Sequence, residues 1–226
     1  MSTKPILFNT DMARALIANR KTATRRVVKP EGFFKRQGYQ ITGRPDPYGV
    51  GDRTPDGFWF NVRRGTKEVS TLLYMPYRPG DILYVRETWT KLWYVDPNGC
   101  THFDQPMYYY AADGTPDITL YDEDGFELDD QRIRWRPSIH MPREAARIFL
   151  RVTAVRVERL QDITEDGAIK EGCTAHGGNL ALDEFEAVWH STLKLADRTL
   201  YGWDANPWVW GIEFERISKE EAMRNA

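Results

Sequence analysis

Ile148-Phe149-Leu150-Arg151-Val152-Thr153-Ala154-Val155-Arg156-Val157-Glu158-Arg159-Leu160 is the clearest long strand in the chain. In its later half Val155 and Val157 alternate with Arg156 and Glu158. A period of two buries one face and leaves the other wet. Downstream, Trp208-Val209-Trp210-Gly211-Ile212-Glu213-Phe214-Glu215-Arg216 reads as a closing strand. Upstream, the turn Pro79-Gly80-Asp81 leads into a strand over Ile82-Leu83-Tyr84-Val85-Arg86-Glu87. Three short helices separate these runs. Asn9-Thr10-Asp11 caps the first, which carries Met12, Ala13, Ala15, Leu16 and Ile17 and ends near Asn19. Thr164 caps a second that runs through Glu171 to Gly172, and a third covers about 182–193 with Phe185, Val188 and Trp189 on its apolar face.

Between them lie two irregular regions. Residues 30–79 are rich in Gly, Pro and Tyr, with a strand candidate at Phe58-Trp59-Phe60-Asn61-Val62, and suit an elaborated loop or small subdomain. Residues 95–142 form a second insertion. Strands interrupted in this way imply an α+β fold, a small mixed β-barrel with short flanking helices, not a doubly wound sheet. The expected organisation is one domain over 1–226 with insertions at about 30–78 and 95–142.

The first helix delivers Arg20-Lys21-Thr22-Ala23-Thr24-Arg25-Arg26, in an exit loop and a following extended piece. Guanidiniums suit phosphate or a carbonyl-rich base, and a lysine beside threonines suits covalent or acid–base chemistry. The plainer reading is a solvated, cation-rich helix end. Charge supports the ligand. Residues 1–50 hold ten Lys/Arg against three acids, whereas 113–130 hold eight acids and no Lys or Arg. A local basic surface favours an anionic partner, while a net charge of −2 and a pI near 6.1 argue against coating duplex DNA. A small or single-stranded ligand fits better.

The chain has 41% hydrophobic and 28% charged residues, a globular balance. It shows no apolar run of membrane-spanning length and no signal-peptide core at its N-terminus, so no membrane partner is expected. Two cysteines make a disulfide scaffold implausible and point to the cytoplasm. Cys100-Thr101-His102 and Cys173-Thr174-Ala175-His176 contain zinc-ligand types without finger spacing, so neither metal nor cofactor is expected. No serine elbow or histidine pairing suggests a serine hydrolase.

The order of these pieces resembles the ASCH domain, a branch of the PUA-like β-barrel proteins associated with RNA and nucleosides. Four places carry the resemblance: the Arg20–Arg26 segment, Pro79 through Trp89, the helix Thr164–Gly172 and the strand Trp208–Arg216. With the strand at 148–160 they cover roughly half of the chain. Within that family the compact bacterial N4-acetylcytidine amidohydrolases are the more specific guide. Their lysine, threonine and glutamate match Lys21, Thr24 and Glu171 here, which implies Lys21 as base, Thr24 as nucleophile and Glu171 as proton donor. Those enzymes lack most of residues 30–78 and 95–142. Longer relatives with such insertions are often phage-borne.

The chemistry stands on its own terms too. Threonine needs a base, and Arg20, Arg25 and Arg26 would depress the lysine pKa by repulsion. Arginine or backbone N–H would stabilise the oxyanion, and Glu171 would protonate the departing amine. Arg20, Thr22, Arg25 and Arg26 are then candidate substrate contacts, joined by Arg86, Glu87, Trp89 and Trp208. Thr22 is the rival nucleophile. Each has a plainer role: Lys21 and the arginines as binding groups, Thr24 as a strand residue, Glu171 as a helix-end charge, the tryptophans as packing. The leading expectation is hydrolysis of an N4-acylated cytidine or modified pyrimidine, free or within RNA. The rivals are a non-catalytic RNA or single-strand binding module and an ASCH-type ribonuclease.

Overall fold

The structure, a computed structural model, describes residues 3–30, 32–42, 57–94, 107–115, 120–122, 126–128, 133–175, 178 and 180–224. The elements run β1 (Thr3–Leu7), α1 (Thr10–Ile17), β2 (Ala23–Val27), α2 (Gly32–Arg36), β3 (Gln40–Ile41), β4 (Gly57–Arg64), β5 (Lys67–Tyr74), β6 (Ile82–Arg86) and β7 (Trp89–Tyr94). They continue with β8 (Met107–Tyr110), β9 (Leu120–Tyr121), β10 (Glu127–Leu128), β11 (Phe149–Arg159), α3 (Glu165–Lys170), α4 (Ala181–Thr192), α5 (Arg198–Tyr201), β12 (Trp208–Ile217) and α6 (Lys219–Arg224).

The fold is α+β. Among the described residues the strands make one five-stranded, one four-stranded and one three-stranded sheet, each running from edge to edge without closing. The barrel closure expected from the sequence is therefore not among these pairings, because β1 and β2 both remain edge strands. No described helix is long and apolar enough to cross a membrane.

The chain divides into two compact units, and the boundary falls within β11 and again within β12. Unit 1 comprises Met1–Asn19, Ile82–Leu150 and Arg216–Ala226. Here β1 lies parallel to β6, from Thr3 opposite Ile82 to Leu7 opposite Arg86. The second insertion supplies β8, β9 and β10, antiparallel ribbons laid on β7. Its core packs Ile82, Trp89, Met141, Ala145, Ala146, Phe149 and Ile217. Asn9 caps α1 as its sequence implies, accepting from Met12 N at 2.9 Å.

Unit 2 comprises Arg20–Asp81 and Arg151–Glu215. Its sheet order is β11-β12-β2, with β12 antiparallel to β2 from Val209 opposite Val27 to Glu213 opposite Ala23. The Gly/Pro-rich first insertion forms the antiparallel β3-β4-β5 sheet. Helices α3 and α4 bury Ala168, Phe185 and Trp189 with Leu160, Ile163, Cys173 and Val209. Thr164 Oγ1 accepts from Gly167 N at 3.1 Å and starts α3. The helix stops at Gly172, whose φ of 95° suits glycine. There Gly172 N donates to Ile169 O at 2.9 Å and Cys173 N to Ala168 O at 3.2 Å, a Schellman ending that fixes where Glu171 sits.

Gly167 shows how tightly α3 is seated. A Cβ there would lie 3.0 Å from Ile163 Cγ1 and 3.2 Å from Arg25 Nη2. Replacing a helical glycine with alanine ordinarily gains about 1 kcal/mol, whereas overpacking costs about 1–3 kcal/mol. Gly167→Ala is expected to lose about 1 kcal/mol net. A urea midpoint at or above wild type, with unchanged slope, would show that α3 has slack.

Candidate functional site

Strand alternation places Ala23, Arg25 and Val27 on one face of β2 and Thr24 and Arg26 on the other. Just before the strand, three consecutive residues meet the last three carbonyls of the α3 end. Arg20 Nη1 donates to Gly172 O at 2.9 Å, Lys21 Nζ to Glu171 O at 2.7 Å, and Thr22 N to Lys170 O at 2.8 Å. Helix C-termini leave such acceptors without intrahelical partners, so this segment caps the helix. The cap brings Lys21 against the Glu171 side chain: Nζ donates to Oε2 at 2.6 Å, with the side chains 0% and 3% exposed.

The ion pair continues inward from β2. Arg25 Nη1 donates to Glu171 Oε1 at 3.3 Å, and its guanidinium lies 5.9 Å from the Phe185 ring centre. Arg25 Nε is 2.8 Å from Glu158 Oε1. Neither atom finds a hydrogen bond despite that distance, so the approach is oblique and the contact is Coulombic only. Glu158 Oε2 accepts from Arg156 Nε at 2.7 Å, and Arg156 also meets Glu213. The result is a chain of alternating sign, Lys21–Glu171–Arg25–Glu158–Arg156–Glu213, running from full burial to partial exposure.

Burial pulls the Lys21 ammonium below its ordinary pKa; Glu171 opposes the shift, and Arg26 adds to it by repulsion. Burial likewise lowers Arg26, against Glu171 and Tyr77, and raises the Tyr77 phenol. Cys173 is a buried free thiol pushed up to about 12 by desolvation first and by Glu184 and Glu171 second. It is therefore a packing residue, not a thiolate.

The structure brings together Lys21, Glu171 and Arg25. Thr24 is buried opposite Ile212, one strand position away and on the face that Arg25 does not use. Thr22 and Arg20 are exposed, held through backbone and cap contacts, while Arg26 is partly buried. Trp208 opens β12 with the Arg159 guanidinium 4.3 Å from its ring centre.

Arg86, Glu87 and Trp89 belong to unit 1. Arg86 Nε donates to Met141 O at 2.7 Å. Trp89 is buried in the core and exchanges backbone hydrogen bonds with Arg136. Glu87, with 1% of its side chain exposed, takes both arms of Arg147 at 3.0 Å each. Arg147 also binds Asp113 at 2.6 and 3.0 Å and covers the Tyr110 ring at 3.8 Å. These partners outweigh desolvation and raise the Arg147 pKa, whereas burial first lifts Tyr110 to about 12.

Sequence reasoning missed Glu158, Arg147 and Arg159 as site residues. Glu158 had one signal, its place on the polar side of the alternating strand, but nothing named Arg25 as its partner. Among the described residues no cluster of three or more His, Cys, Asp or Glu side chains suits a metal. Cys100, Thr101, His102 and His176 lie outside the described residues, as do parts of the acidic 113–130 stretch. The chain matches no known family profile, no curated protein and no solved structure.

The Lys21 shift fixes a pH dependence. Its folded pKa lies below the ordinary 10.5, so between those values the unfolded chain binds more protons and stability rises with pH. Urea unfolding of wild type and Lys21→Met across the alkaline range is expected to show the wild-type advantage growing toward pH 10.5. An advantage that shrinks over that window would mean that Glu171 outweighs burial.

Proposed function

We propose that the chain hydrolyses the N4-acyl amide of a cytidine-type nucleoside, free or within RNA, on an ASCH-like, PUA-related α+β scaffold. The observation that carries this reading is the 2.6 Å contact between Lys21 Nζ and Glu171 Oε2, two groups joined by the fold from 150 positions apart and held out of water. Buried charges cost stability unless fully paired, and shifted, paired groups concentrate where proton transfer is needed. Burial moves the Lys21 pKa in the direction that favours a base, although Glu171 opposes the shift.

In the proposed reaction Lys21 accepts the Thr24 hydroxyl proton as Thr24 Oγ1 attacks the acyl carbonyl. The carbonyl oxygen gains the electron pair, and the Arg26 guanidinium is the cation on the Thr24 side of β2 to balance it. When the tetrahedral adduct collapses, the C–N bond breaks. The leaving N4 amine takes the proton that Lys21 acquired, passed through the Glu171 carboxylate. Water then hydrolyses the threonyl ester through the same base. Lys21 lies outside β2, so its stem is not bound by the alternation that turns Thr24 away from Arg25.

A second reading, a non-catalytic nucleic-acid binding module, draws on different residues: Arg159 over Trp208, and Lys29 4.5 Å from the Tyr201 ring centre. Incubation with N4-acetylcytidine and with a short single-stranded RNA, followed by chromatography, separates these readings. Release of cytidine that falls about 10³-fold in Lys21→Ala and Thr24→Ala is the expected result. Loss in Lys21→Ala with full activity in Thr24→Ala would make water the nucleophile. Intact nucleoside with salt-sensitive RNA retention would favour the binding module, and shortened RNA a ribonuclease.

A further inference from the structure

Away from the Lys21 cluster, unit 2 holds a cavity of about 90 Å³ bordered by Val28, Pro30, Gln40, Arg159, Tyr201 and Trp208. Its two aromatic rings each carry a cation. Arg159 lies 4.3 Å from the Trp208 ring centre, oriented by donation from Nη1 to Asn206 O at 2.8 Å. Lys29 Nζ lies 4.5 Å from the Tyr201 ring centre. Its carboxylate contact is loose, 4.0 Å to Asp197 with both side chains about two-fifths exposed, so the ammonium is available to another anion.

These features specify a ligand. Each ring has a cation over one face, which leaves the opposite face to stack a base and the cations to hold a phosphate. Lys29 and Arg159 place positive charge at this rim, which favours an anion. The Gln40 amide offers a donor and an acceptor to the edge of a base. The Trp208 indole N–H is buried without an acceptor, a donor left over in a residue that lines the cavity.

We infer that this pocket binds a nucleoside monophosphate, its base against Trp208 and Tyr201 and its phosphate beside Lys29 and Arg159. It is a second site. Trp208 and Glu213 are five residues apart on β12, about 17 Å, and Glu213 pairs with Ala23 beside the Lys21 cap. The inference does not rest on the amidohydrolase reading.

Calorimetric titration of the full chain with cytidine 5′-monophosphate tests it. Saturable one-site binding is expected, weakened about tenfold or more in Tyr201→Ala and in Lys29→Glu. Both of these replacements lie outside the sheet, so folding of a Trp208 variant is not needed. Cytidine without its phosphate should bind about tenfold more weakly. The inference is overturned by absence of saturation, or by full affinity in Tyr201→Ala and Lys29→Glu. The N4-acetylcytidine assay stands or falls separately.

Discussion

A lysine ammonium sealed from water against a single carboxylate is the constraint around which unit 2 is arranged. Taking either ion out of water costs several kcal/mol, and the pair recovers that only with close geometry and further partners. Both conditions are met here. Glu171 receives Lys21 on one oxygen and Arg25 on the other, and Arg25 is countered in turn by Glu158. The charges balance pair by pair along the chain, so no member is left as an isolated buried ion. The Schellman ending of α3 and the absence of a side chain at Gly167 are the local conditions that let Glu171 and Arg25 occupy their places.

Unit 1 solves a similar problem with arginine. Arg147 is planar and permanently charged, which lets one side chain meet Glu87 bidentately, reach Asp113 and lie flat on Tyr110. Lysine would meet only part of that arrangement. The contrast is chemical as well as geometric. A guanidinium held by two carboxylates keeps its proton, whereas the buried Lys21 amine has been moved toward giving its proton up. Of the two clusters, the one containing lysine is where burial pushes the cation toward losing its proton.

Much of this was legible in the chain itself. The period-two run at 148–160 became β11 over Phe149–Arg159, and the Asn9 and Thr164 caps appear as hydrogen bonds. Local chemistry decides such features, so local sequence reveals them. The meeting of Lys21 with Glu171 was anticipated only through family resemblance, because nothing within either segment names the other. Glu158 and Arg147 were less visible still. Each acts through a partner set by sheet register or by a distant loop, and a charged residue on a strand or in a loop reads as solvated until that partner is known. Trp89 shows the converse: an aromatic next to a promising Arg–Glu pair is consumed by the core of unit 1.

The three-rung cap between Arg20–Thr22 and the end of α3 has a mechanical meaning. Lys21 Nζ is both a rung of that cap and the inner partner of Glu171, so the amine has no exit that leaves the helix end intact. Exposing the nitrogen therefore requires the last turn of α3 to unlatch. Exposure of this nitrogen and fraying of one short helix are thus linked, because six residues of helix must let go of three residues of loop for both.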